Sequence, residues 1–180
     1  METALVLHIA AADALTGPTR IAHDPSAADG MPAHVTLLYP FKPVAETTPA
    51  DAEKLAQTCK QFESIELSFE TFGRFPAVLW LAPQPVSAVS ELASALVAAF
   101  PDWKPYGGAF KDFVPHLTLA HLSGADAEAQ LDRIAADFMK KAEGQLPLRQ
   151  TVFWVSLFDK SQTGRWKEIS GFPLGQKASN

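Results

Sequence analysis

Cysteine is nearly missing from this chain: Cys59 is the only one in 180 residues. One thiol closes no intrachain disulfide and builds neither a redox pair nor a multi-cysteine zinc site, so the sequence fits a reducing compartment. Cationic excess is missing as well. Fifteen Lys and Arg stand against twenty Asp and Glu, a formal charge of −5, which disfavours a protein gripping long nucleic acid through many phosphates. No DNA partner is expected, although a small anion in a local pocket is compatible with that balance. No low-complexity segment occurs, and no apolar run approaches the roughly 20 residues that span a bilayer. The start, METALVLHIAAADAL, lacks the basic segment of a secretory signal. It reads as the first strand of a cytoplasmic protein without a membrane partner.

Apolar residues make up 47% of the chain, enough for one sizeable core or two small lobes sharing an interface. One domain over 1–175 is expected, monomeric, with 176–180 as a flexible tail. Strand patterns run through 4–11 (ALVLHIAA), 34–39, 65–72 (IELSFETF) and 78–82 (VLWLA); further β-rich stretches follow at 116–122, 146–158 and 165–174. Helical spacing predicts helices over 49–62, 86–100 and 125–142. Between the first two strands, Gly17, Pro18, Pro25, Gly30 and Pro32 predict a long loop with at most one helical turn. The order of elements begins to repeat after residue 100, which is an architectural echo without a residue-by-residue repeat.

One short pattern does recur. Residues 34–39 read HVTLLY and residues 116–121 read HLTLAH. On a strand, residues i and i+2 share a face, so His34 projects with Thr36 and His116 with Thr118, while Val35, Leu37, Leu117 and Leu119 anchor the opposite side. Each strand then carries one imidazole and one hydroxyl on a rigid mount. Chance alone would put two His-x-Thr copies into roughly one such chain in twenty-five. The same parity sends Tyr39 to the packed side with Val35 and Leu37. It also places His121, five residues after His116, on the face opposite that histidine.

The stretches PAHVTLLYPF (32–41) and PYGGAFKDFVPHLTLA (105–120) resemble the 2H phosphoesterase superfamily, in its 2′-5′ RNA ligase-like, cyclic phosphodiesterase branch. That family is defined by two His-x-[Ser/Thr]-x motifs, both intact here, and the likeness runs from the first strand to the closing RW…FPLG. The resemblance implies an α+β, bilobal fold of two antiparallel sheets with outer helices around a central groove, related by a pseudo-two-fold. It further implies metal-independent, cofactor-free hydrolysis of a 2′,3′-cyclic phosphate on a nucleotide or RNA terminus, and ligation when run backwards. His34 and His116 would act as acid and base, and Thr36 and Thr118 would bind the phosphate. Arg20 in the expected loop, and Tyr106, Phe110 and Lys111 in the Gly107-Gly108 loop, are candidate substrate contacts. The competing reading is a module that binds a nucleotide or RNA end in the same groove without turning it over.

Overall fold

The computed structural model describes residues 2–109, 112–160 and 162–175. The chain opens with β1 (Glu2–His8), α1 (Ala10–His23), α2 (Pro25–Ala28) and β2 (His34–Leu38), followed by α3 (Pro49–Cys59) and β3 (Ile65–Phe75). It continues through β4 (Val78–Gln84), α4 (Val86–Ala99), β5 (Leu117–His121) and α5 (Ala127–Lys141), and ends with β6 (Leu148–Val152), β7 (Trp154–Lys160) and β8 (Trp166–Pro173). The strands form two four-stranded antiparallel sheets, ordered β2-β1-β7-β8 and β5-β4-β3-β6. The expected α+β, bilobal architecture is what the chain adopts. Each strand carrying a His-x-Thr motif is an edge strand, and Cα atoms of β2 and β5 come within 8 Å of each other.

A β-α-β unit is used twice. In one copy, β1 and β2 pair antiparallel with α1 and α2 between them; in the other, β4 and β5 pair with α4 and the 3-10 turn Pro105–Gly108 between them. The helices exchange partners: α1 packs on β5 and α4 packs on β2. One apolar cluster joins the layers, with Leu5 and Leu37 from one sheet, Leu81 and Leu117 from the other, and Leu55, Leu92 and Leu131 from helices. At about 1.5–3 kcal/mol for each large aliphatic side chain removed from water, this cluster fixes the two edge strands relative to one another.

Local signals explain most boundaries. Thr48 caps α3 by accepting from the Asp51 N–H at 3.2 Å, while the Asp51 carboxylate accepts the Thr48 N–H at 2.8 Å, with Pro49 at the first helical position. The last turn of α5 carries Lys140 and Lys141, favourably placed against the helix dipole. The β-rich stretch at 146–158 does hold two strands, β6 and β7. The expected loop over 12–33 does not exist as such. Most of it is α1, fourteen residues long with Gly17 and Pro18 inside it, and Asp24 then caps α2 by accepting from the Ser26 N–H at 3.0 Å. The buried face of α1 consists of Ala12, Thr16, Thr19 and Arg20. This stripe has helical spacing but is built from small and polar residues, so a search for apolar periodicity passes over it. The expected tail at 176–180 lies outside the described residues.

Candidate active site

Val35 and Leu37 on β2, and Leu117 and Leu119 on β5, are fully buried, which turns the partly exposed His34, Thr36 and Thr118 to the other face of their strands. His116 stands one residue before β5. Both histidines and both threonines line a single cavity of about 1260 Å³. The four side chains of the repeated motif are therefore brought together from the facing edges of the two sheets.

The two imidazoles are held alike. His34 donates from Nδ1 to the Pro32 carbonyl at 2.8 Å, and His116 donates from Nδ1 to the Val114 carbonyl at 2.7 Å. A carbonyl only accepts, so Nδ1 carries the proton in each neutral ring and Nε2 keeps its lone pair. Burial lowers the pKa of His34 to about 4; the Arg20 guanidinium and the His116 charge act in the same direction, against the Pro32 carbonyl and the Asp24 carboxylate. Burial also lowers His116, opposed by the Val114 carbonyl. The His116 ring packs edge-on against Phe75, with centroids 5.1 Å apart, and tilted against Trp80 at 5.9 Å. Trp80 lies flat over Gly73 of the neighbouring strand, where a Cβ would come within 2.1 Å of the indole.

Arg20 is not a loop residue, and its side chain is 2% exposed on α1. It pairs with Asp24 at 3.0 Å and donates to the carbonyls of Thr118 at 3.0 Å and Met31 at 3.3 Å. One guanidinium thereby ties the second motif strand to the segment leading into the first. Tyr106 reaches across the groove: its N–H bonds the Tyr39 carbonyl, its hydroxyl lies near Thr36, and its ring meets Tyr39 edge-on at 6.2 Å. Tyr106 holds a φ of +50°, a left-handed conformation that a bulky residue adopts at an energetic cost. Phe110 and Lys111 lie outside the described residues.

Two lining residues depart from the parity argument. In β2 the register passes from Thr36 opposite Val6 to Leu38 opposite Leu5, and in β5 from Thr118 opposite Trp80 to Ala120 opposite Leu79. Each motif strand thus carries a one-residue bulge just after its threonine, which reverses the alternation beyond it. Leu37 and Leu38 are both buried, as are Leu119 and Ala120. The next residue along, Tyr39 just past β2 and His121 at the end of β5, returns to the cavity wall. The signal was in the sequence: LL and LA, two adjacent apolar residues, interrupt an otherwise alternating pattern. Trp166 also lines the cavity, edge-on to Tyr39 at 6.3 Å, and its spacing gave no such warning. Among the described residues, no three of His, Cys, Asp and Glu gather where a metal ion could be held, and no helix is long and apolar enough to cross a membrane.

This architecture has solved counterparts. TT0787 of Thermus thermophilus superposes with a TM-score of 0.61 at 15% identity, covering 98% of this chain and all of its own (100%). E. coli LigT complexed with NADP+ gives 0.58 at 18% identity over 97% of this chain and 98% of that one. The same protein complexed with 3′-AMP gives 0.57 at 18% identity over the same shares, 97% and 98%. At such identities these likenesses establish the fold. No curated protein sequence is a significant match. The sequence profile of the 2′-5′ RNA ligase superfamily matches residues 6–161, and the chain belongs to that superfamily.

Proposed function

We propose that the protein is a metal-independent phosphodiesterase that opens a 2′,3′-cyclic phosphate on a nucleotide or RNA terminus. The observation that carries this reading is the matched pair of imidazoles, each tethered through Nδ1 to the carbonyl two residues upstream and each beside a threonine hydroxyl on one cavity. Hydrolysis needs one group to take a proton from water and another to give one to the departing ribose oxygen, and imidazole titrates near the required range. His34, held neutral by burial and by Arg20, takes the proton from water through Nε2. His116, which among the described residues has no cation like Arg20 beside it, enters as the imidazolium and gives its Nε2 proton to the leaving oxygen, while its Nδ1–H stays on the Val114 carbonyl. Water adds to phosphorus, one P–O bond to the ribose breaks, and the phosphate monoester remains.

Thr36 and Thr118 donate to the non-bridging oxygens, each hydrogen bond to a charged group contributing about 1.5–3 kcal/mol. Whatever part of this strengthens in the transition state raises the rate. Arg20 acts as a positioning residue beneath both motifs. Tyr106 closes the groove above Thr36 and contacts the nucleoside. That LigT has been crystallised with phosphate, 3′-AMP, ATP and NADP+ supports a nucleotide ligand here. Run backwards, the same centre joins a cyclic phosphate to a 5′-hydroxyl.

The test is incubation with the four nucleoside 2′,3′-cyclic phosphates, with and without a chelator, followed by 31P NMR. Turnover to the monophosphate, unchanged by chelator, is expected. Saturable binding without turnover would replace this reading with that of a carrier or sensor.

A further inference from the structure

The phosphate grip is nearly symmetric, and symmetry poses a problem for a cyclic diester. Turned half a revolution, the substrate presents O2′ where O3′ had been, and two equivalent His-x-Thr strands hold either pose equally well. In-line attack requires the water to enter opposite the departing oxygen, so the pose decides the product. If the P–O2′ bond breaks, O2′ takes the proton and a 3′-phosphate remains; if P–O3′ breaks, O3′ takes it and a 2′-phosphate remains. Discrimination has to come from residues flanking the grip.

The twin bulges supply such residues at equivalent positions. Tyr39 and His121 each stand five residues beyond a motif histidine, Tyr39 just past the end of β2 and His121 at the end of β5, and each follows a bulge that turns the chain back to the cavity. Their surroundings differ. Burial and then the nearby Glu2 carboxylate raise the pKa of the Tyr39 hydroxyl, and its ring is flanked edge-on by Tyr106 and Trp166. His121 is exposed and stands opposite Val78, which pairs on its other side with Phe75. One end therefore offers a broad aromatic surface for a nucleobase, at about 1–3 kcal/mol per stacked base. The other offers an imidazole that can donate or accept.

Resting on the proposed hydrolysis, we infer that Tyr39 and His121 are the specificity-determining pair of this site: they fix the direction in which the cyclic phosphate lies across the two motifs, and hence which ribose oxygen departs. The experiment measures the ratio of 2′- to 3′-monophosphate by 31P NMR for the wild type, His121→Ala, Tyr39→Leu and the exchanged double variant carrying Tyr39→His with His121→Tyr. The wild type is expected to favour one isomer by at least about tenfold, the discrimination that one such contact supplies. The single variants should bring the ratio within about threefold of unity, and the exchange should move it furthest. His121 is exposed, so His121→Ala keeps the fold and the test. An active His121→Ala enzyme with the wild-type ratio overturns the inference, as does a wild type that yields both isomers equally. Complete loss of turnover in His121→Ala assigns that residue to the chemistry instead and also overturns it. No turnover in the wild type removes the underlying reading itself, an outcome distinct from turnover with an unchanged ratio.

Discussion

The two β-α-β units do the same mechanical work with different materials. Helix α4 braces β2 with Val89, Leu92, Ala93 and Leu96, an aliphatic stripe. Helix α1 braces β5 with Ala12, Thr16, Thr19 and Arg20. The first arrangement only packs. The second also delivers a buried charge to a motif strand's carbonyl and lowers the pKa of the histidine across the groove. Two nearly equivalent halves therefore hold one pair of imidazoles in the same tautomer in electrically different surroundings, the asymmetry on which the proposed division into base and acid rests.

The feature common to both halves should give the largest effect. His34→Ala and His116→Ala are each expected to lower kcat by at least about a hundredfold, the lower bound for loss of one acid or base. Equal loss in both supports two indispensable groups, and full activity in either breaks the comparison. Next comes the feature found in one half only. Arg20→Met leaves the Asp24 carboxylate buried without its cation, and should cost about 3–5 kcal/mol of folding stability. Chemical denaturation reads that loss, and a change below about 1 kcal/mol, the scale of an exposed pair, would show that the arginine ties nothing together.

A smaller effect is expected on the other side. Gly73→Ala pushes Trp80 off the strand and away from His116, an overpacking cost of about 1–3 kcal/mol. Turnover should fall by about tenfold through the misplaced imidazole, with KM little changed; unaltered kcat would show that Trp80 does not hold the ring. The last comparison concerns pH. Between about 4 and its ordinary 6.5, His34 binds fewer protons folded than unfolded. Stability should therefore be intact above 6.5 and fall as pH drops towards 4, and His34→Asn should flatten that slope. Because both imidazoles titrate below the ordinary value, kcat/KM, which reports the free enzyme, should peak on the acid side of about 6.5. A maximum above about pH 8 would contradict the lowered values.

The same contrast marks what could be read from the sequence. Helix α4 announces itself by aliphatic periodicity, and α5 by its charged and apolar faces. The His-x-Thr strands were legible because alternation is strict up to the threonine, whereas their convergence on one cavity was implied by the family resemblance rather than by the repetition itself. Helix α1 was not legible: its buried side carries a cation and two hydroxyls, and Pro18 argues locally against a helix that tertiary packing imposes. Parity misplaced Tyr39 and His121 because period-two reasoning assumes an unbroken ladder, and a bulge changes face without leaving the strand. Trp166 reaches the cavity by sheet order, through β8 beside β7, which no local pattern encodes.

The tether on each motif histidine spans only three residues, from a carbonyl to an imidazole two positions later. The site of protonation on each ring is thus written into its own half, before the halves meet. What assembly adds is distance and polarity, so a rearranged ancestor or an engineered permutation would need to recover only the approach of the two strands; the choice of nitrogen travels with the tripeptide.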